Sequence, residues 1–487
     1  MQNLLLYIKN NLTPTLAQIL LQALKNSNNE KFFTFVLENI ETICTWLNSS
    51  EFKNRYLSIK HPYPPLINPN FIEIDASRHC AELAWDLNLP LPKHYKFIYI
   101  SPHGVGAAAF LRYLNQCCDV TCFASWVLPP DAKERYCLNY MCLNDNTITQ
   151  YAINISEINL PYFDKYLSLL DFNSKIICGV RDPIGILKHN WGRDWSKVLR
   201  NYPSEFNLTY DWRYYIDYLA HQNHKIKIDI NELQQGVFII SYLLKYFNKD
   251  NVYYLDMEEI RQSKAFDTMN LLAINFNFTP PHKDKLDLFK IKEFRGYIRY
   301  LFPITLYANS KDINNTFYLN TPKNNKNFNY ANSKDINNTF YLNTPKNNKN
   351  FNIDKTSSIP IILDRKHINH EKIDIIQEII KNDLCNDMGV YIDKNDFKQL
   401  EQNNLLFSTI KHYLYDFLYQ IKITIDETES KMMKEKDVID YFIKNKSLVY
   451  TFFNIFENDL NHLKQKFPNI INSWTYYKEF EKIYKDK

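Results

Sequence analysis

Apolar positions in the first 60 residues recur three and four apart, at Leu16, Ile19, Leu20 and Ala23 and again at Phe33, Val36, Leu37 and Ile40. That spacing lines one side of a 3.6-residue helix, so a small helical cap is expected there. The segment His61–Phe71 then sets four prolines within eight residues, which forces extended backbone and reads as a strap or boundary. From about residue 93 to 303 short apolar runs alternate with helical ones. Strands are expected at Phe97–Ile100, Asp119–Ala124, Lys175–Val180 and Asn251–Leu255. Helices are expected from Gly106, from Pro183, over Leu233–Phe247 and near Ala265–Ala273. This alternation predicts an α/β fold with a parallel sheet flanked by helices, whose ligands bind beyond the carboxyl ends of the strands.

The alternation stops at Tyr307, where residues 307–329 are repeated identically as 330–352. A tandem copy without drift, rich in Asn, Lys and Thr, fits a solvated loop that tolerates insertion better than it fits a packed core. A two-copy solenoid is the alternative, but such arrays need more units to bury a core. Beyond it Ile359–Asp364 reads as a strand, and Ile373–Ile380, Leu405–Ile421 and Val438–Phe456 as helices. The expected organisation is a helical cap and strap over 1–92, an α/β core over 93–303, a repeat-bearing loop over 304–356 and a mostly helical region over 357–487.

Composition narrows the class. The chain has 487 residues, 45% of them hydrophobic and 15% aromatic, which excludes a disordered protein. Its 58 basic and 54 acidic residues leave a net charge of only +4, too little for a nucleic-acid footprint, so any anion site must be local. The nine cysteines are odd in number and form no C-x-x-C pair, which points to buried free thiols in a reducing cytoplasm. The N-terminal apolar stretch is interrupted by Lys9, Asn10 and Asn11, so neither a signal peptide nor a membrane span is expected.

Only eight glycines occur, and five of them fall in two segments, Lys96–Leu114 and Lys175–Trp195. Glycine is retained where φ is positive or where a group approaches the backbone closely. In the first segment a strand runs into Ser101-Pro102-His103-Gly104-Val105-Gly106-Ala107-Ala108 and a helix, placing backbone N–H groups and small side chains where an anion fits. It lacks the Lys-Ser/Thr of a nucleoside-triphosphate P-loop. A tight strand-to-helix turn is the plainer reading. In the second segment Arg181 leaves a strand end with a fork suited to phosphate, Asp182 is placed as N-cap and Pro183 opens a helix that carries Lys188 and His189. An Arg–Asp pair that only braces the strand end is the plainer reading there.

Together the two segments resemble the sulfotransferases that use 3′-phosphoadenosine 5′-phosphosulfate. A third element, Asn251–Phe278, is similar to that family's late strand, acidic turn and helix. The resemblance covers roughly Tyr95–Phe302 and implies that Ser101 to Ala108 face the 5′ side of the donor, with the backbone of Gly104, Val105, Gly106, Ala107 and Ala108 on the bridging phosphate. It implies that Arg181, Lys188 and His189 hold the 3′-phosphate, with Arg295 and Arg299 of FRGYIR closing on the nucleotide. The family's first loop carries a Lys and hydroxyl residues where this chain has His103 and alanines. His103 is the candidate general base or donor to the leaving phosphate.

The whole chain, including the HPYPPLINP strap and the AELAWDLNLPLP segment Ala81–Pro92, also resembles a bacterial capsule-locus family of sugar transferases, some linked to moving O-methyl phosphoramidate from a cytidine diphosphate donor that carries a 3′-phosphate. That resemblance implies a 3′-phosphonucleotide donor and a sugar or polysaccharide hydroxyl as acceptor, and nothing among the polar residues of the sequence requires a metal. It also implies peripheral association with capsule-assembly machinery at the inner face of the cytoplasmic membrane. Two other readings stay open: a nucleotide-sugar glycosyltransferase, which would be metal-independent because the chain has no D-x-D motif, and a non-catalytic capsule-assembly binding protein. The pairs Arg78/His79, His221/His224 and His367/His370 fit capping or solvated roles better than a metal site.

Overall fold

The structure, a computed structural model, describes residues 2–71, 75–193, 202–220, 229–291, 298–317, 353–366, 371–380 and 388–486. Its strands are β1 (Ile98–Ile100), β2 (Ile153–Ile155), β3 (Ile176–Val180), β4 (Glu205–Asn207), β5 (Val252–Asp256), β6 (Ile304–Ala308), β7 (Ile359–Arg365), β8 (Ile373–Asp374) and β9 (Met388–Ile392). The chain divides into two compact units, one of residues 1–190, 228–289 and 435–487, the other of 191–227 and 290–434.

The first unit carries a four-stranded sheet in the order β2-β1-β3-β5, every neighbouring pair parallel. β1, β2 and β3 are buried at every position, as strands covered on both faces must be. Tyr99 and Phe110 meet at 4.6 Å in a core that also takes in Ile177, Leu255, Met269 and Leu272. Helices Gln2–Asn11, Pro14–Asn26, Glu30–Glu38 and Ile40–Asn48 form the N-terminal cap, with Thr13 and Asn29 accepting hydrogen bonds at two of the helix starts. The proline strap is pinned, since Trp46 Nε1 donates to Pro65 O at 2.9 Å and Asn88 Nδ2 to Pro64 O at 3.1 Å.

The second unit is built on a mixed sheet in the order β4-β6-β7-β9-β8, with β4 and β6 parallel and the other pairs antiparallel. Its core packs Phe206, Trp212, Leu306, Leu363 and Val390 with Tyr413 and Phe417 of the long helix Asn404–Ser430. β6 and β7 are antiparallel neighbours, so residues 309–358, with the second copy of the repeat and most of the first, connect adjacent strand ends. Residues 318–352 lie outside the described residues.

Several expected elements are corrected. Residues 304–308, assigned to the repeat-bearing loop, form β6, because Ile304, Leu306 and Ala308 alternate inward. Asp119–Ala124 is no strand and makes one isolated bridge, Thr121 to Tyr151, while β2 lies in the stretch between Ala124 and Lys175, where no strand is expected from the sequence. Leu233–Phe247 is not one helix: Ile230–Gly236 ends, Ile240–Leu243 follows and a 3-10 turn spans Leu244–Tyr246. Ile373–Ile380 divides into β8 and the helical turn Ile376–Ile379. Val438–Phe456 falls on two helices, Glu435–Lys444 and Lys446–Lys466, which break at Asn445. No described helix is long and apolar enough to cross a membrane.

Candidate functional site

After β1 the chain pairs β2 on one side, then returns to pair β3 on the other, so the crevice beyond the carboxyl ends of β1 and β3 is a topological switch point. The two glycine-bearing turns leave from these strand ends. In the first, Gly104 and Gly106 have φ of +96° and +83°, conformations that a side chain rarely adopts. The turn is packed on both flanks. A Cβ built on Gly104 would lie 3.5 Å from His189 and Asn190 of helix Pro183–Trp191, and one on Gly106 would lie 2.9 Å from Ile260 beside the acidic turn. The structure therefore brings the three sequence elements to one place.

Arg181 ties the two turns together. Its Nη1 donates to Gly104 O at 3.0 Å, and its Nη2 donates to Glu435 Oε1 at 3.4 Å. Lys188 Nζ lies 3.4 Å from the same Glu435 oxygen. The Arg181 side chain is only 14% exposed. Burial draws its pKa down while Glu435 and Asp182 oppose that, and a guanidinium remains a cation at any pH a protein survives. The folded-back guanidinium needs Gly185, because a Cβ there would stand 2.7 Å from Arg181 Nε.

Within the first turn several groups are already engaged. Ser101 is fully buried and its hydroxyl donates to Asn154 Oδ1 at 2.9 Å, so the side chain faces β2 and not the crevice. The His103 N–H donates to Gly236 O at 2.9 Å. Val105 is buried, and Ala107 and Ala108 open a helix of six residues, Ala107–Arg112. The His103 ring packs over Gly236, and its Nε2 lies 3.7 Å from Glu157 Oε1, a charge contact longer than a hydrogen bond. Glu157 Oε2 accepts from Arg135 Nη2 at 3.0 Å, and Arg135 is itself fixed by Ser125 Oγ at 2.7 Å and Pro129 O at 3.0 Å. Burial pushes the Glu157 carboxyl up, and His103 and Arg135 more than offset this, leaving it below its usual range.

The C-terminal segment of this unit closes around the same strand ends. Asp182 Oδ1 accepts the Ile184 N–H at 2.9 Å, as an N-cap does, while its Oδ2 accepts the N–H groups of Tyr476 and Tyr477 at 3.1 Å each. Asp256 accepts the Trp474 indole N–H at 2.6 Å and the Glu258 N–H at 2.8 Å, so its carboxylate is spent on holding the fold. Asp459 lines a small cavity with Pro102, Gly179, Arg181 and Phe238. It accepts the Ser241 N–H at 3.0 Å, and burial pushes its carboxyl up to about 7. The cavity has room for one water at most.

Of the remaining sequence candidates, Arg295 lies outside the described residues, as do His221, His224, His367 and His370. Arg299 stands on the helix Ile298–Leu301 of the second unit. Among the described residues no group of three or more His, Cys, Asp or Glu side chains could hold a metal ion. Glu435, Glu157 and Asp459 escaped sequence reasoning. For Asp459 a signal exists: it interrupts the buried stripe Phe452, Ile455, Phe456, Leu460 and Leu463 with a lone acid.

A family model described as "Protein of unknown function (DUF2972)" matches residues 254–486, just under half of the chain. No curated protein and no solved structure matches it.

Proposed function

We propose that the first unit is a transferase that moves a small anionic group from a 3′-phosphonucleotide donor to a hydroxyl, with a sugar of a capsular or surface polysaccharide as the acceptor class. The observation that carries this reading is the convergence of Arg181 and Lys188 on one carboxylate oxygen of Glu435, beside the Gly104 turn at a switch point. Two cations that gather a carboxylate fit a terminal phosphate by the same charge and geometry. The fit concerns the anion end: the adjoining cavity has room for one water at most, so a base and ribose would lie outside it.

In the proposed reaction the acceptor oxygen attacks the terminal phosphorus or sulfur, its proton passes to a base, and the bond to the 5′-phosphate oxygen breaks with the electron pair leaving on the nucleotide. Catalysis would rest on positioning and on neutralising that leaving charge. His103, at the mouth of the first turn and backed by Glu157 and Arg135, is the candidate base. Arg181, Lys188 and His189 would hold the 3′-phosphate, and the turn Gly104 to Ala108 the 5′ side. A sulfuryl and a phosphoramidate group make the same demands on these residues, so both remain within the reading.

Thermal-shift binding of adenosine 3′,5′-bisphosphate and cytidine 3′,5′-bisphosphate, against their 5′-monophosphates, tests it. Stabilisation that needs the 3′-phosphate and disappears in Arg181→Ala is the expected result, and the favoured base would separate the two donor classes. Equal response to nucleotides with and without the 3′-phosphate would sink the reading and favour glycosyl transfer or a binding role.

A further inference from the structure

Glu435 is the first residue of the helix Glu435–Lys444, and its Oε1 lies 3.4 Å from both Arg181 Nη2 and Lys188 Nζ. The rest of that helix is fixed by packing, with Val438, Ile439 and Phe442 buried and the Phe442 ring 4.9 Å from Phe480. Phe480 lies on the helix Thr475–Lys485, whose first N–H groups are held by Asp182. The helix body therefore stays in place while the Glu435 side chain, 24% exposed, has solvent to swing into. Arg181 has a second anchor at Gly104 O, so it keeps its place when the carboxylate leaves.

We infer that Glu435 is a built-in competitor for the anion site, occupying Arg181 and Lys188 until a phosphate of the ligand displaces its carboxylate. The inference rests on the proposed function and adds its regulation: the chain carries its own weak occupant of the phosphate position. Such a competitor lowers apparent affinity by the fraction of molecules in which the site is open. It also favours doubly charged phosphates over singly charged anions, because only the former outbid a carboxylate for two cations. With the coupling expected of two partly buried ion pairs, removing it should tighten phosphate binding about tenfold.

Isothermal titration with adenosine 3′,5′-bisphosphate, on the full chain and on Glu435→Gln, Glu435→Ala and Arg181→Ala, tests it. Tighter binding in both Glu435 variants, with binding lost in Arg181→Ala, is expected. The two Glu435 variants guard against a folding artefact in either one. If both Glu435 variants bind as the wild type does while Arg181→Ala still abolishes binding, the competitor role is overturned and the phosphate site stands. If binding weakens in both, Glu435 supports the site and does not compete for it. If no form of the protein binds, the proposed function fails and the inference with it.

Discussion

Replacing Gly185 by alanine should destabilise the first unit through Arg181 and through nothing else. A Cβ at residue 185 would stand 2.7 Å from Arg181 Nε and 3.2 Å from its Cζ, and the long side chain is the partner that yields. Moving it breaks the 3.0 Å bond to Gly104 O and the 3.4 Å contact with Glu435. A charged hydrogen bond, here to a partly buried acceptor, contributes about 1.5–3 kcal/mol, and a partly exposed ion pair up to about 1 kcal/mol. Alanine in a helix regains about 0.5–1 kcal/mol over glycine. The net expectation is a loss of about 0.5–3.5 kcal/mol in wild type. In an Arg181→Ala background there is nothing to displace, so the same substitution should stabilise by about 0.5–1 kcal/mol. Urea unfolding of the four proteins, followed by circular dichroism, reads this change of sign. A Gly185→Ala effect that is equally destabilising in both backgrounds would refute the role assigned to the glycine.

Two further outcomes follow from the same strand ends. Asp459 has a folded-state pKa of about 7 against an ordinary 3.8, so the folded form keeps a proton that the unfolded form loses; its contribution is intact below about pH 4 and declines as pH rises to about 7. Asp459→Asn should therefore match wild type near pH 4 and exceed it by up to about 4 kcal/mol at pH 8, a difference that urea midpoints at the two pH values would report, with an unchanging gap as the contrary result. Asp182→Ala removes the acceptor of three N–H groups, those of Ile184, Tyr476 and Tyr477. It should cost about 2–3 kcal/mol and quicken amide exchange in the helix Thr475–Lys485, whereas unaltered exchange there would show that the cap is dispensable.

Much of the parallel sheet could be read from the chain because its strands are short, fully apolar and bounded by the scarce glycines. β1 and β3 announce themselves in this way, and Gly104 and Gly106 take the positive φ that their retention implies. β2 did not, since its polar Asn154 is buried where it can accept from Ser101, and such a pairing appears only once the strands are neighbours. Arg181 was legible as a strand-end cation, but its partner Glu435 lies 254 residues away in sequence. No local pattern links the two. The membership of residues 435–487 in the first unit has the same origin: Asp182, Asp256 and Ser241 reach partners in that segment, and tertiary contacts of this kind leave no periodicity.

Phosphorus-31 NMR of adenosine 3′,5′-bisphosphate titrated with the protein tests the anion site most directly, because the two phosphates report separately. The expected result is that the 3′ resonance shifts on binding and that Arg181→Ala removes this shift selectively. Perturbation of the 5′ resonance alone, or a 3′ shift that survives in Arg181→Ala, would contradict the assignment of Arg181 to a 3′-phosphate.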